Sequence, residues 1–173
     1  GQDESAESLR KHNKSVIEDA EASRVVTCCP GCLIQLREYH DLEGVIPLHH
    51  SEFFDELFEE LPEYKTNENL TYHDPCELHR ILEIEKEPRS LLKKLGTKYR
   101  DIEPSCCGGG GLLRMTDPNL SSIIIEMRTA SEDLKDSTVI TCCPSCREQL
   151  LSNELETLDV IEVLWKALQN GEV

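Results

Sequence analysis

TVITCCPSCREQL, residues 138–150, decides the fold. Thr138–Thr141 is a short β-branched run of the kind that packs well on a pleated sheet. Pro144 follows the vicinal cysteines Cys142 and Cys143. Proline suits the first turn of a helix, where its N–H is not missed and its φ is already set, so a helix is predicted over 144–151. A strand that turns straight into a helix at a cysteine is one step of an alternating chain. Working outward, the upstream sequence repeats the step: strand Asn69–His73, helix Pro88–Leu95, strand Lys98–Glu103, helix Pro118–Leu134. The helices rest on apolar spacings of three and four, at Leu91, Leu92 and Leu95, then at Leu120, Ile123, Ile124 and Met127. Asp117-Pro118 supplies a cap and a first residue for the longer one. The order βαβαβα predicts an α/β fold, a small parallel sheet with flanking helices in a Rossmann-like βαβαβ arrangement with right-handed crossovers.

The same motif occurs earlier in the chain. RVVTCCPGCLIQL (24–36) aligns without gaps on 138–150 at an offset of 114, with eight of thirteen positions identical. This is an internal repeat. The register holds loosely upstream, where a helical stretch over 5–20 falls opposite 119–134. Carried further back, the offset places the counterparts of Cys106 and Cys107 before Gly1, and that of Cys76 earlier still. Residues 1–65 therefore read as the last part of a truncated first copy and residues 66–173 as a complete second copy.

Nine cysteines stand in a chain whose N-terminus, GQDESAESLRKHNK, lacks the basic-then-apolar pattern of a secretory signal. That combination suggests a cytoplasmic protein whose thiols bind metal or react, rather than a disulfide scaffold. A formal charge of −16 argues against nucleic acid, whose phosphates require clustered Lys and Arg. No run approaches the roughly 20 apolar residues of a membrane span. Against the predicted strands the cysteines are ordered: Cys76 lies three residues past the first, Cys106 and Cys107 past the second, Cys143 and Cys146 past the third. Loops after the carboxyl ends of parallel strands form the binding crevice of such sheets. Five thiols spread over 71 positions thus converge on one sheet edge.

The glycines Gly108–Gly111 let the backbone pass close to a bulky inorganic core and turn N–H groups toward sulfur. Helix starts after Cys143 and Asp117 would add positive dipole ends that favour thiolates. Five thiolates suit an iron–sulfur cluster; four of them suit tetrahedral zinc, and both metals accept thiolates. Cys29 and Cys32 form the CxxC of the first copy, a remnant of a second metal site. His73 is a candidate proton donor beside Cys76, with a pKa naturally near neutrality. His49-His50 is read as a helix start with Ser51 as cap, followed by an amphipathic helix over Glu52–Glu63 that presents Phe53, Phe54, Leu57, Phe58 and Leu61 on one face.

The pattern Cys76-x29-Cys106-Cys107-Gly108-x34-Cys143-x2-Cys146, with TYHDPCELHR (71–80), EPRSLLKKLG (87–96) and SCCGGGG (105–111), resembles the cysteine-rich CCG domain. That domain occurs in heterodisulfide reductase subunits of the B and D type and in the iron–sulfur subunits of glycolate, lactate and glycerol-3-phosphate oxidoreductases. The resemblance implies a non-cubane [4Fe–4S] cluster on Cys76, Cys106, Cys107, Cys143 and Cys146, with Cys29 and Cys32 belonging to a first site and Cys28 and Cys142 outside the pattern. It implies an anaerobic electron-transfer or disulfide-reducing subunit, supplied by a ferredoxin-type or flavin subunit and serving a disulfide or quinone-linked acceptor, in the cytoplasm or peripheral to a membrane complex. Its competitor is a zinc-binding structural or interaction domain without redox activity.

Overall fold

A computed structural model describes residues 3–132 and 134–170. The chain begins with a surface helix, α1 (Asp3–Asp19), which buries no residue. Its (i, i+4) ion pairs, such as Lys14–Glu18 at 3.6 Å, run along its surface. The first copy of the repeat follows as β1 (Arg24–Thr27), α2 (Pro30–Tyr39), β2 (Ile46–His49) and α3 (His50–Leu57). The second copy runs β3 (Leu70–Tyr72), α4 (Cys76–Arg80), α5 (Lys86–Lys94), β4 (Arg100–Asp101), α6 (Leu113–Thr116), α7 (Pro118–Glu132), a 3₁₀ turn over Leu134–Asp136, β5 (Thr138–Thr141), α8 (Pro144–Leu151), β6 (Thr157–Asp159) and α9 (Val160–Asn170).

The strands form two parallel sheets, β1-β2 and β4-β3-β5-β6. Tyr72 pairs with Ile140 and Asp101 pairs with Tyr72, so the carboxyl ends of β4, β3 and β5 finish together. The α/β fold with a parallel sheet and flanking helices is thus the one the alternation predicts. The repeat is visible in element order, since β1–α2–β2–α3 runs as β5–α8–β6–α9 does. The main core draws on both copies: Leu33 of α2 belongs to it with Leu91, Leu92 and Leu95 of α5, Ile140 of β5, and Val163, Leu164 and Ala167 of α9.

Boundaries differ from the sequence-based expectation in several places. The strand expected over Asn69–His73 spans Leu70–Tyr72, and that over Lys98–Glu103 only Arg100–Asp101, because β4 is an edge strand with one partner. The helix expected to reach Leu134 ends at Glu132 before the 3₁₀ turn; Asp133 lies outside the described residues. The amphipathic helix expected over Glu52–Glu63 stops at Leu57, with Phe58 extended. Pro62 explains this stop, because its ring would clash with the carbonyl of residue 58 in a continuing helix. Phe58 and Leu61 still reach the core from the non-helical segment. Finally, the cap of α3 is His49 rather than Ser51. Asp117 does cap α7 as its sequence suggests, accepting from Leu120 N at 3.0 Å.

Gly96 ends α5 with φ +63, in the left-handed region where only glycine sits without strain. Its N–H and that of Thr97 close back on Lys93 and Leu92 at 3.0 Å each. This stop delivers the chain into β4, and so places the CysCysGly loop.

Candidate metal centre

The five thiols of the motif, Cys76, Cys106, Cys107, Cys143 and Cys146, lie at the carboxyl edge of the four-stranded sheet. Cys76 opens α4, just past the His73-Asp74-Pro75 turn that follows β3. Cys143 is the residue before α8, with Pro144 in that helix's first turn, and Cys146 lies one turn inside it. Cys106 and Cys107 come from the loop after β4. Cys107, Cys143 and Cys146 are buried, while Cys76 and Cys106 are partly open to solvent.

Cys107 Sγ stands 3.2 Å from Cys146 Sγ. The pair shares a proton that settles on Cys146. The Cys146 thiol lowers Cys107 to about 4, aided by the His73 ring and the Gly109 N–H, against the opposing effect of burial. Cys143 is lowered as well, first by the same Cys146 thiol. Cys106 falls to about 6 because the Cys76 thiol bonds to it. Cys76 and Cys146, as donors, are correspondingly raised. The site therefore presents thiolates at Cys106 and Cys107 and a lowered thiol at Cys143, held by the two remaining thiols.

The glycine loop completes this arrangement. Gly108 N–H points at Cys106 Sγ (3.3 Å) and Gly109 N–H at Cys107 Sγ (3.4 Å). Both contacts favour the charged sulfur. A Cβ at Gly109 would lie 2.7 Å from Ser145 O, so the loop presses on the first turn of α8 and no side chain fits there. Ser121 fastens the loop from the other side, donating to Gly108 O at 2.8 Å while accepting from Gln149 at 3.1 Å. An all-sulfur donor set, partly ionised and bordered by backbone N–H groups, suits a cluster of iron and sulfide.

His73 is fully buried beside this set. One of its ring nitrogens lies within 4.8 Å of both Cys107 and Cys146 sulfurs. Its Nδ1 is 3.5 Å from Arg128 Nη2, and its Nε2 has no hydrogen-bond partner. Cys29 caps α2, its Sγ accepting from Cys32 N at 3.4 Å. Burial, then the Cys29 thiol, pushes Cys32 up to about 11. This CxxC lies close to the five-cysteine site: a Cβ at Gly31 would be 3.2 Å from Glu77 Oε2, and Glu77 raises both Cys32 and Cys76. Cys142 packs in the main core, fully buried.

Sequence reading missed the framework behind the loops. Asp74, whose side chain is fully buried, is clamped by Arg89 from α5. Arg89 also bonds Asp101 of β4 (Nε to Oδ2 2.7 Å) and stacks over the Tyr72 ring at 5.0 Å. One guanidinium thus ties the Cys76 loop to the strand that leads to Cys106. Only the acid-Pro-Cys order of Asp74-Pro75-Cys76 hinted at this, and it cannot show where the arginine comes from.

The family model for a cysteine-rich domain, the CCG model, matches residues 1–37 and 70–151. This chain belongs to the CCG cysteine-rich domain family. Both matched stretches carry the cysteine motifs described above, and the unmatched segment between them holds β2, α3 and the connection to β3. An iron–sulfur protein of Methanocaldococcus jannaschii is 30% identical over 97% of this chain and 37% of its own length. One of the subunits of the dihydromethanophenazine:CoB–CoM heterodisulfide reductase of Methanosarcina mazei is 28% identical over 92% of this chain and 44% of its own. One of the subunits of the fumarate reductase (CoM/CoB) of Methanothermobacter marburgensis is 29% identical over 95% and 35%. The chain spans less than half the length of these CCG relatives. Among the described residues, no helix is long and apolar enough to cross a membrane.

Proposed function

We propose that this CCG domain is the cluster-bearing part of an iron–sulfur oxidoreductase subunit of the heterodisulfide-reductase type. In this reading Cys76, Cys106, Cys107, Cys143 and Cys146 hold a [4Fe–4S] cluster of non-cubane form. The observation that carries it is the convergence of five thiols from three strand ends, three of them lowered by neighbouring thiols, on a loop whose glycine N–H groups face sulfur. Tetrahedral zinc has no use for the fifth sulfur. When bound, the cluster supplies one-electron redox chemistry. The protein's own residues orient and shield it: Arg89 and Asp74 fix the Cys76 loop, Ser121 and Gln149 fix the glycine loop, and burial excludes water from Cys107, Cys143 and Cys146. His73, beside Cys107, holds a proton on the nitrogen away from Arg128 and would deliver it to a thiolate product.

Electrons would come from a ferredoxin-type or flavin subunit and leave to a disulfide or quinone-linked acceptor, and turnover would need those partner subunits. Cys29 and Cys32, next to Glu77, are the near half of a second site. The names of the relatives, subunits of heterodisulfide and fumarate reductases, support this assignment.

A second reading has its own observation. His73 and the Cys107 and Cys146 sulfurs lie within 4.8 Å of one another, and Cys143 bonds to Cys146. One nitrogen and three sulfurs is a tetrahedral zinc set. The test separates the two. The chain is reconstituted under anaerobic conditions with iron and sulfide, or with zinc, and analysed for iron, sulfide and zinc and by electron paramagnetic resonance. Iron and sulfide in near-equal amounts, with a paramagnetic signal on reduction that Cys107→Ala removes, is the expected result. A folded, colourless chain holding one zinc would overturn it.

A further inference from the structure

Three buried titratable groups stand where the two copies of the repeat meet, outside the thiol set. His49 and Asp159 hold the same place in the two copies, each capping the helix after the second strand. His49 N–H donates to Glu52 Oε2 and Asp159 N–H to Glu162 Oε2, at 2.8 Å each. In register, His49 pairs with Thr27 and Asp159 with Thr141, so each cap lies one strand spacing, about 4.8 Å, from the residue that precedes the vicinal cysteines.

His50 crosses the boundary. Its Nε2 stands 3.4 Å from Asp159 Oδ1. The ring is 3% exposed, and beyond this approach neither nitrogen has a hydrogen-bond partner; the buried Thr141 Oγ1 lacks one too. His49 is fully partnered. Its Nδ1 accepts from Ser51 Oγ (2.8 Å) and Ser51 N (3.4 Å), which leaves its proton on Nε2 to donate to Cys28 O at 3.3 Å. A neutral imidazole thus joins the seam to the first cysteine loop.

Buried polar groups of this kind cost stability that apolar residues of the same volume would not. Their neighbours are already matched: Arg37 pairs with Glu52, Arg147 with Glu162, and Lys94 of α5 with Asp55 of α3. The remaining ionisable groups facing the pair, Cys28 and Cys142, are thiols raised by burial and uncharged near neutrality. Burial pushes Asp159 up to about 7 and His50 down to about 3. Within the seam, the group left to respond to a new charge at the sheet edge is therefore His50 with Asp159.

We propose that His50 and Asp159 form a proton-holding pair that takes up one proton when an electron enters the five-cysteine centre and releases it when the electron leaves. This rests on the iron–sulfur reading above. The balance is one electron from the donor and one proton from solvent, giving the reduced centre and a protonated pair. The one bond formed is the O–H on Asp159 Oδ1, facing His50 Nε2, and reoxidation breaks it. Both are positioning residues, acting on the centre through the low-dielectric seam.

The test uses the full chain loaded with iron and sulfide, with loading checked by iron and sulfide analysis before each titration. The midpoint potential is then measured from pH 6 to 9. Above about pH 7 the potential falls by roughly 59 mV per pH unit, the tenfold step for one electron, and Asp159→Asn and His50→Gln flatten this slope while iron content is unchanged. A flat wild-type profile, or a slope that survives Asp159→Asn, overturns the pair. Redox-difference infrared spectroscopy of the wild type serves where the variants fold poorly: a protonated carboxyl band that grows on reduction and shifts in D2O is expected, and its absence overturns the pair. A chain that takes up no iron overturns the iron–sulfur reading and, with it, the pair.

Discussion

Gly109 and Arg89 show how single residues shape the centre without belonging to the thiol set. Gly109→Ala would drive a methyl group against Ser145 O at 2.7 Å, a backbone atom that cannot swing aside. The expected cost is about 1–3 kcal/mol, as for an overpacked core, read from the urea midpoint. Because the displaced loop carries Cys106 and Cys107, iron bound per chain should fall with it. Arg89→Leu leaves Asp74 buried without its cation. Removing one partner of such a pair costs on the order of 3 kcal/mol, measurable by the same denaturation. Iron uptake should drop more than in a surface control such as Lys11→Leu, since the Cys76 loop loses its anchor.

At the scale of elements, the two caps at the seam govern how stability depends on pH. Asp159 has its folded pKa raised to about 7, so its contribution is fully present below its unfolded value and is lost as pH rises through about 7. His49 and His50 are lowered by burial to about 4 and about 3, so their contributions are present above about 6.5 and are lost as pH falls. Between about pH 4 and 6.5 the two imidazoles oppose the one carboxyl. For these three groups, stability of the metal-free chain therefore rises with pH across that window. Asp159→Asn removes the opposing carboxyl and steepens the rise; His50→Gln shallows it. Thermal midpoints at pH 4.5, 5.5 and 6.5 for the three proteins check both signs.

For the whole molecule, metal and fold are linked through the same core. The Cys107, Cys143 and Cys146 sulfurs belong to a buried cluster with Ile125, Val139 and Leu150, so the site cannot exist unless α7, β5 and α8 are docked. A metal group that binds only the docked form stabilises it by mass action, by about 2.7 kcal/mol when present at a hundred times its dissociation constant. Loading should raise the unfolding temperature, and a chelator should return it to the metal-free value. Uptake should also release protons from Cys76 and Cys146, the two thiols raised by their neighbours, and so strengthen with pH. An unbuffered titration followed by a pH electrode would show the release.

Local chemistry alone determined a good deal of this protein. The β-branched run 138–141, the proline at 144 and the Asp117-Pro118 start are readable because they act through φ, ψ and nearest neighbours, and their elements begin where they indicate. The gathering of five cysteines followed from strand order and the parallel-sheet rule. Tertiary structure alone decided which thiols pair, because Cys107–Cys146 and Cys76–Cys106 depend on distances across loops far apart in sequence. It also decided that Arg89 reaches Asp74, that α3 stops early yet keeps Phe58 in the core, and that His50 meets Asp159 across the seam of the repeat. Pairwise contacts and burial are properties of the packed chain, and residue spacing carries no record of them.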